Sequence, residues 1–259
     1  MSPIKRGFSI SFRLMRHGPV GPLRRVRAVL AVALLAASSA GCGALTKQFE
    51  YEEDVTLSLD GSATIYLNAS LAALVALRGA DLDLRPNARF DAERIRAFFT
   101  SPVTRVGRVS SYRRHGRRYA YVRIDVDDIR RLSTAQPFAW ATYALDSGPT
   151  EAVFRQTVGA PANREVGNVG WTGRELVAFR LHLPSKIRFH NAPSKAVERG
   201  NILTWEQSLA DRRAGVPVSI EVRMEPTSIL YRTLWLFAIS GLAALLVLGG
   251  IIWWVMKKA

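Results

Sequence analysis

The stretch VTLSLDGSATIYLN, residues 55–68, predicts a β-hairpin, and its alternating pattern recurs through the central part of the chain. Apolar and polar residues alternate on both sides of Asp60–Gly61, a dipeptide that favours a tight turn. The apolar positions are Val55, Leu57, Leu59, Ile65 and Leu67. A two-residue period with one polar face is typical of an antiparallel sheet that covers a core on one side.

Further along the chain, three stretches show the same alternation: RRYAYVRIDV (117–126), ELVAFRLHLP (175–184) and VPVSIEVRM (216–224). Short helices are predicted at residues 69–80, 91–101 and 127–134, of which the second begins at Asp91 as a cap and ends before Pro102. We therefore predict an α+β fold: a curved antiparallel sheet with two or three short helices on one face, followed by a C-terminal transmembrane helix. Residues 158–175 read as a long loop rich in Gly and Asn.

The N-terminal part has the order of a signal peptide. Basic LRRVR (23–27) precedes ten apolar residues (28–37), and the small residues SSAG precede Cys42, the only cysteine. The apolar run is well short of the roughly 20 residues that span a bilayer. SAGC resembles a bacterial lipobox, with Ser39 where that pattern has Leu. We expect a diacylglyceryl group on the Cys42 thiol; cleavage without lipid and an uncleaved anchor are the alternatives.

At the C-terminal end, residues 234–256 form a run of 23 residues without charge. As a helix this run is about 35 Å long, enough to span a hydrocarbon core. Tryptophans flank it, and Lys257 and Lys258 place the end in the cytoplasm by the positive-inside rule. We predict a signal peptide (1–41), an extracytoplasmic domain (42–227), a transmembrane helix with its interfacial flank (228–256) and a cytoplasmic tail (257–259). Both ends are thus expected to hold the domain to a bacterial cytoplasmic membrane.

The net charge of +15 is distributed unevenly. Residues 1–42 carry seven basic and no acidic residues, residues 43–227 carry 26 and 21, and residues 228–259 carry three and none. Because most of the excess lies in the membrane-directed ends, a nucleic-acid partner is not indicated. A single cysteine excludes a disulfide framework, and no P-loop, nucleophile-elbow or zincin motif occurs. We assign no catalytic residue, metal or cofactor and expect no enzyme, unless side chains converge only in the fold.

One charged feature stands out in the central part. Residues 105–123 contain seven arginines and no acidic residue, and YRRHGRRY (112–119) predicts a hairpin tip. The tip carries Arg113, Arg114, Arg117 and Arg118. Guanidinium groups pair well with phosphate, so we predict that these four residues bind anionic head groups. The alternative is a solvated strand edge that resists aggregation.

Two stretches, FEYEEDVTLSLDGSATIYL (49–67) and residues 179–225, together with the C-terminal helix and basic tail, resemble the LppM-type bacterial lipoprotein domain. The second stretch contains the N-x-L-x-W strand of that family at Asn201, Leu203 and Trp205. The resemblance implies an α+β domain similar to lipid-binding proteins, recognition of envelope glycolipids and no catalytic residue. We expect membrane lipids as partners, with a glycolipid or an envelope protein as further candidates. The predicted function is lipid or glycolipid binding, and the alternative is an assembly role beside another membrane protein.

Overall fold

The computed structural model describes residues 47–258. The predicted signal peptide and Cys42 therefore lie outside the described residues. The strands of the described part are β1 Phe49–Leu57, β2 Ala63–Ser70, β3 Thr104–Arg114, β4 Arg117–Val126, β5 Ala141–Ser147, β6 Ala152–Val158, β7 Leu176–His182, β8 Ile187–His190, β9 Ile202–Ser208 and β10 Val218–Met224. The helices are α1 Leu71–Arg78, α2 Ala92–Phe99, α3 Leu209–Arg213 and α4 Ile229–Lys258, with 3-10 helices at Ile129–Thr134 and Gln136–Phe138.

The strands form two sheets, in the orders β3-β4-β2-β1-β7-β9 and β5-β6-β10-β8. The predicted α+β class is confirmed. The architecture differs in detail from one antiparallel sheet, because β5 and β6 form a hairpin that pairs with β10 in a second sheet. In addition, β7 pairs with β1 in parallel. A parallel pair needs a long connection, and the chain from β2 to β6 supplies it.

The hairpin predicted from residues 55–68 is present. Val55 lies opposite Ile65 in the register of β1 and β2, and both side chains are buried. Gly61 closes the turn with φ +97°, and a Cβ at this position would lie 2.7 Å from a guanidinium nitrogen of Arg130. The turn therefore depends on glycine both for its backbone conformation and for space.

Helix α1 is buried at all eight positions. Ser70 caps its first turn, since its Oγ accepts the N–H of Ala73 at 3.0 Å, and Gly79 ends it with a left-handed φ of 74°. The structure thus confirms the helix predicted at residues 69–80. A helix this short is stable only through packing, and α1 is apolar everywhere except at Arg78.

Arg78 forms a buried ion pair with Glu53 of β1, and both side chains are fully buried. Its Nε also donates to the hydroxyl of Tyr51 at 2.8 Å, and its guanidinium carbon lies 4.0 Å from the ring centroid of Trp140. Burial raises the pKa of Tyr51 well above its ordinary value, so the phenol stays neutral. The last turn of α1 is therefore fixed to the core face of β1.

Helix α4 extends over 30 residues and is exposed along its length. It is the one helix of residues 47–258 that is long and apolar enough to cross a membrane. Its start is tied to the domain: the Ile229 N–H donates to the Pro184 carbonyl at 3.0 Å, and Arg232 pairs with Glu225 at 2.7 Å. These properties suit a membrane anchor that leaves the domain at a defined point.

Replacing Arg78 by Met should destabilise the domain strongly. The substitution leaves the Glu53 carboxylate in the core without its cation, which costs about 3–5 kcal/mol in comparable cases. Urea unfolding of the purified chain, followed by circular dichroism, measures the loss. The double variant R78M with E53Q removes both charges and should recover part of the lost stability. An R78M variant as stable as the wild type would contradict the stabilising role of the buried pair.

Candidate anion-binding site

The arginine-rich hairpin tip lies where the sequence predicts it. Arg114, the last residue of β3, lies opposite Arg117, the first residue of β4. His115 and Gly116 form the two-residue turn between them. Both turn residues have positive φ, 49° and 73°. This is the conformation of a type I′ turn, which fits the natural twist of two antiparallel strands.

The four predicted arginines have different surroundings. Arg113 is exposed and donates to the Pro86 carbonyl at 3.2 Å. Arg118 donates to the main-chain carbonyls of Asp83 and Arg85 at 2.9 and 3.0 Å. Arg114 is half-buried and has no polar contact with the described part of the chain.

Arg117 is held by two buried carboxylates. It pairs with Glu50 at 2.8 Å and lies 3.8 Å from Glu175. Glu50 also accepts the hydroxyl of Tyr119 at 2.8 Å and the indole N–H of Trp171 at 3.0 Å. The charge of Arg117 is therefore offset within the protein, while Arg113 and Arg118 have no carboxylate partner among the described residues.

Three of the four arginines line a cavity of about 300 Å³ between the hairpin tip, the start of α1 and the loop at residues 158–175. They are Arg113, Arg117 and Arg118; Arg114 is not part of the wall. The apolar part of the wall consists of Leu71, Ala72, Leu84, Pro86, Val166 and Val169. Cationic and apolar groups thus face one small space.

The first turn of α1 adds to the positive potential of this cavity. Leu71 and Ala72, its first two residues, are in the wall, and the leading N–H groups of a helix have no partner within it. These groups carry the positive end of the helix dipole. The cavity therefore suits an anionic group beside an apolar one.

Glu175 fastens the long loop that forms one side of the cavity. Its carboxylate is 1% exposed and accepts the N–H groups of Thr172 and Gly173 at 2.7 and 2.8 Å. Burial alone would raise the pKa of Glu175, but these donors outweigh it and the pKa is lowered. No pattern in the sequence predicts Glu50, Trp171 or Glu175 as site residues, because their link to Arg117 exists only in the fold.

The wall of the cavity contains no histidine, cysteine or carboxylate. Within residues 47–258 no three His, Cys, Asp or Glu side chains are grouped to hold a metal ion. That the chain is no enzyme stays a prediction.

A larger cavity of about 660 Å³ lies beside the start of α4. Its wall includes Leu57, Leu59 and Leu230 together with Asp60 and His182, and it contains no lysine or arginine. This cavity therefore lacks the cationic groups of the smaller one, which lies at the other end of β1.

No protein-family model and no curated protein sequence matches the chain. A search of solved structures finds the folded domain of LppM from Mycobacterium tuberculosis, determined by NMR, with 12% sequence identity and a TM-score of 0.37. The match covers 72% of this chain and 96% of that domain. It is thus to a protein of the type that the sequence resembles.

Acid should release the loop at residues 158–175. Because the pKa of Glu175 is lowered in the folded state, its stabilisation is full above the ordinary value of 4.5 and is lost as the pH falls through the folded-state pKa. Hydrogen exchange at Thr172 and Gly173, corrected for the intrinsic effect of pH, should accelerate in that range. The variant E175Q should exchange faster at neutral pH and lose this dependence; an unchanged pH profile in E175Q would assign the effect to another group.

Proposed function

We propose that the chain is a bacterial envelope lipoprotein, held to the cytoplasmic membrane by a lipid on Cys42 and by α4, whose extracytoplasmic domain binds an anionic lipid or glycolipid. The cavity at the hairpin tip carries this proposal. There, two arginines without carboxylate partners and a helix N-terminus face an apolar wall. The C-terminal lysines of α4 then lie in the cytoplasm, in accord with the positive-inside rule.

The chemistry of the cavity favours phosphate or carboxylate over a neutral head group. Guanidinium groups donate two parallel hydrogen bonds to such anions, and charge-assisted bonds of this kind are stronger than neutral ones. A choline head group would bring a cation against Arg113 and Arg118, which is unfavourable. We therefore expect discrimination by charge.

The size of the cavity limits what enters it. A volume of about 300 Å³ is at the lower end of the range for small-molecule sites. It accommodates a head group and the first carbons of an acyl chain against Leu84 and Val169, while the rest of the chain stays outside. The domain would thus hold a lipid by its polar end. An assembly role beside another envelope protein stays a prediction of the sequence.

Arg113→Glu should weaken the binding of dihexanoylphosphatidic acid by about 10- to 100-fold, since a charge-assisted hydrogen bond contributes roughly 1.5–3 kcal/mol. Isothermal titration of the full chain in nanodiscs of zwitterionic lipid measures this effect. Arg113 is exposed, so the fold should not depend on it.

Arg108→Glu is the matched control, because it makes the same change of charge on the same strand outside the cavity wall. It should leave the affinity near that of the wild type. Inorganic phosphate should bind more weakly than the lipid, and dihexanoylphosphatidylcholine should not bind. Equal losses of affinity in the two variants would show that only the overall charge of the chain matters, and would contradict a site at Arg113.

Cys42→Ser should abolish the incorporation of a radioactive fatty acid when the chain is expressed in bacteria, because the thiol is the proposed acceptor. The variant should stay in the membrane fraction through α4. Persistent incorporation would refute the lipid at Cys42.

A further inference from the structure

The two proposed anchors lie at opposite ends of β1. Helix α4 starts beside Pro184, whose carbonyl accepts the Ile229 N–H. Pro184 follows β7, and the parallel register places His182 beside Thr56 at the end of β1. The described chain begins at Lys47 and enters β1 at Phe49, which lies opposite Leu176, the first residue of β7. Lys47 pairs with Glu206, which lies in the row of Glu52 in the first half of β1. The chain from Cys42 thus enters the domain at the end away from the membrane helix.

The lengths of these segments restrict the orientation of the domain. β1 spans about 26 Å at roughly 3.3 Å per residue, and α4 adds about 8 Å between Ile229 and the charge-free run that begins at Leu234. We call the domain upright when β1 and α4 both lie along the membrane normal. In an upright domain Phe49 would lie about 34 Å above that run. The seven residues from Cys42 to Phe49 reach at most about 25 Å. A domain held by both anchors therefore cannot stand upright.

The charge of the domain selects the side that faces the membrane. Residues 81–118, which we call the β3 flank, comprise the α1–α2 loop, α2, β3 and the hairpin tip. This flank carries ten arginines and four acidic residues, whereas all of residues 43–227 carry 26 basic and 21 acidic ones. The flank alone thus exceeds the net positive charge of the domain, and the rest is slightly acidic.

The cationic groups of the flank are available along its length. Arg89, Arg108 and Arg113 are exposed and have no carboxylate partner among the described residues. The backbone edge of β3 is partly covered, because Arg96 of α2 donates to the carbonyls of Val106 and Gly107 at 2.8 and 2.7 Å. The flank therefore offers charge rather than a free strand edge, which suits a lipid surface better than an added strand of a partner.

We infer that the β3 flank lies on the anionic head groups of the membrane that α4 enters, with the domain on its side. The inference rests on the proposed attachment at both ends and does not depend on which ligand fills the cavity. Arg113 belongs both to the flank and to the cavity wall, so the cavity lies beside the head-group layer.

Two label positions at the same level along the strands test this orientation. The strand register places Ser110 of β3 and Glu206 of β9 in one row across the six-stranded sheet, at its two opposite edges. The edges are about 24 Å apart. The full chain, carrying a fluorophore at S110C or at E206C, is placed in nanodiscs of phosphatidylcholine and phosphatidylglycerol that contain a head-group spin-labelled lipid.

We expect strong quenching at Ser110 and weak quenching at Glu206. Weak quenching at both positions indicates an upright domain, strong quenching at both indicates that a sheet face lies down, and stronger quenching at Glu206 indicates the opposite edge. Each of these three outcomes overturns the inference.

Charge variants test the cause of the orientation. R108E combined with R114E should abolish the difference between the two labels, as should nanodiscs of phosphatidylcholine alone. R155E combined with R223E makes the same change of charge at exposed positions of the second sheet and should leave the difference intact. A difference that survives R108E with R114E would contradict the role of the flank. Incorporation of radioactive fatty acid is measured in the same preparation. If the label distribution is wrong and the fatty acid is present, only the inferred orientation is contradicted. If the fatty acid is absent, the proposed lipid at Cys42 is contradicted as well.

Discussion

The buried pair between Arg78 and Glu53 is the constraint on which the site depends. A carboxylate in an apolar core must be paired, and within residues 47–258 the partner of Glu53 is Arg78, the last residue of α1. The pair fixes one end of α1 against β1. The other end, which Ser70 caps, then faces the hairpin tip and becomes part of the cavity wall. The ion pair in the core thus positions the N-terminal end of the α1 dipole at the cavity.

The same requirement for charge pairing distinguishes the arginines at the tip. Buried Glu50 and Glu175 offset Arg117, which therefore fastens the long loop to the sheet. Arg118 is oriented by main-chain carbonyls and forms no ion pair within residues 47–258. Arg113 has the greatest freedom to meet a ligand. Of the four predicted arginines, Arg117 thus has a structural role and Arg113 and Arg118 are the candidates for binding an anion. Arg114 lies outside the cavity wall.

Local patterns in the sequence predicted the local structure well. The alternation in residues 117–126 coincides with β4, and the cap predicted at Asp91 marks the real start of a helix. The second sheet was not predicted, because β5 and β6 contain Ala and Thr, which contrast weakly between their two faces. The parallel pairing of β1 with β7 and the partners of Arg117 depend on contacts between distant parts of the chain. No single-sequence pattern encodes such contacts, so the charge of the site was visible in the sequence but its geometry was not.

The opposed positions of Lys47 and α4 also have a consequence for diffusion. A domain held at one end swings through the aqueous layer, whereas a second attachment at the far end leaves it mainly rotation about the membrane normal. A lipid ligand moves in that same plane. With both proposed anchors in place, the encounter with the proposed lipid ligand would become a search in two dimensions, with the cavity at a constant height above the bilayer.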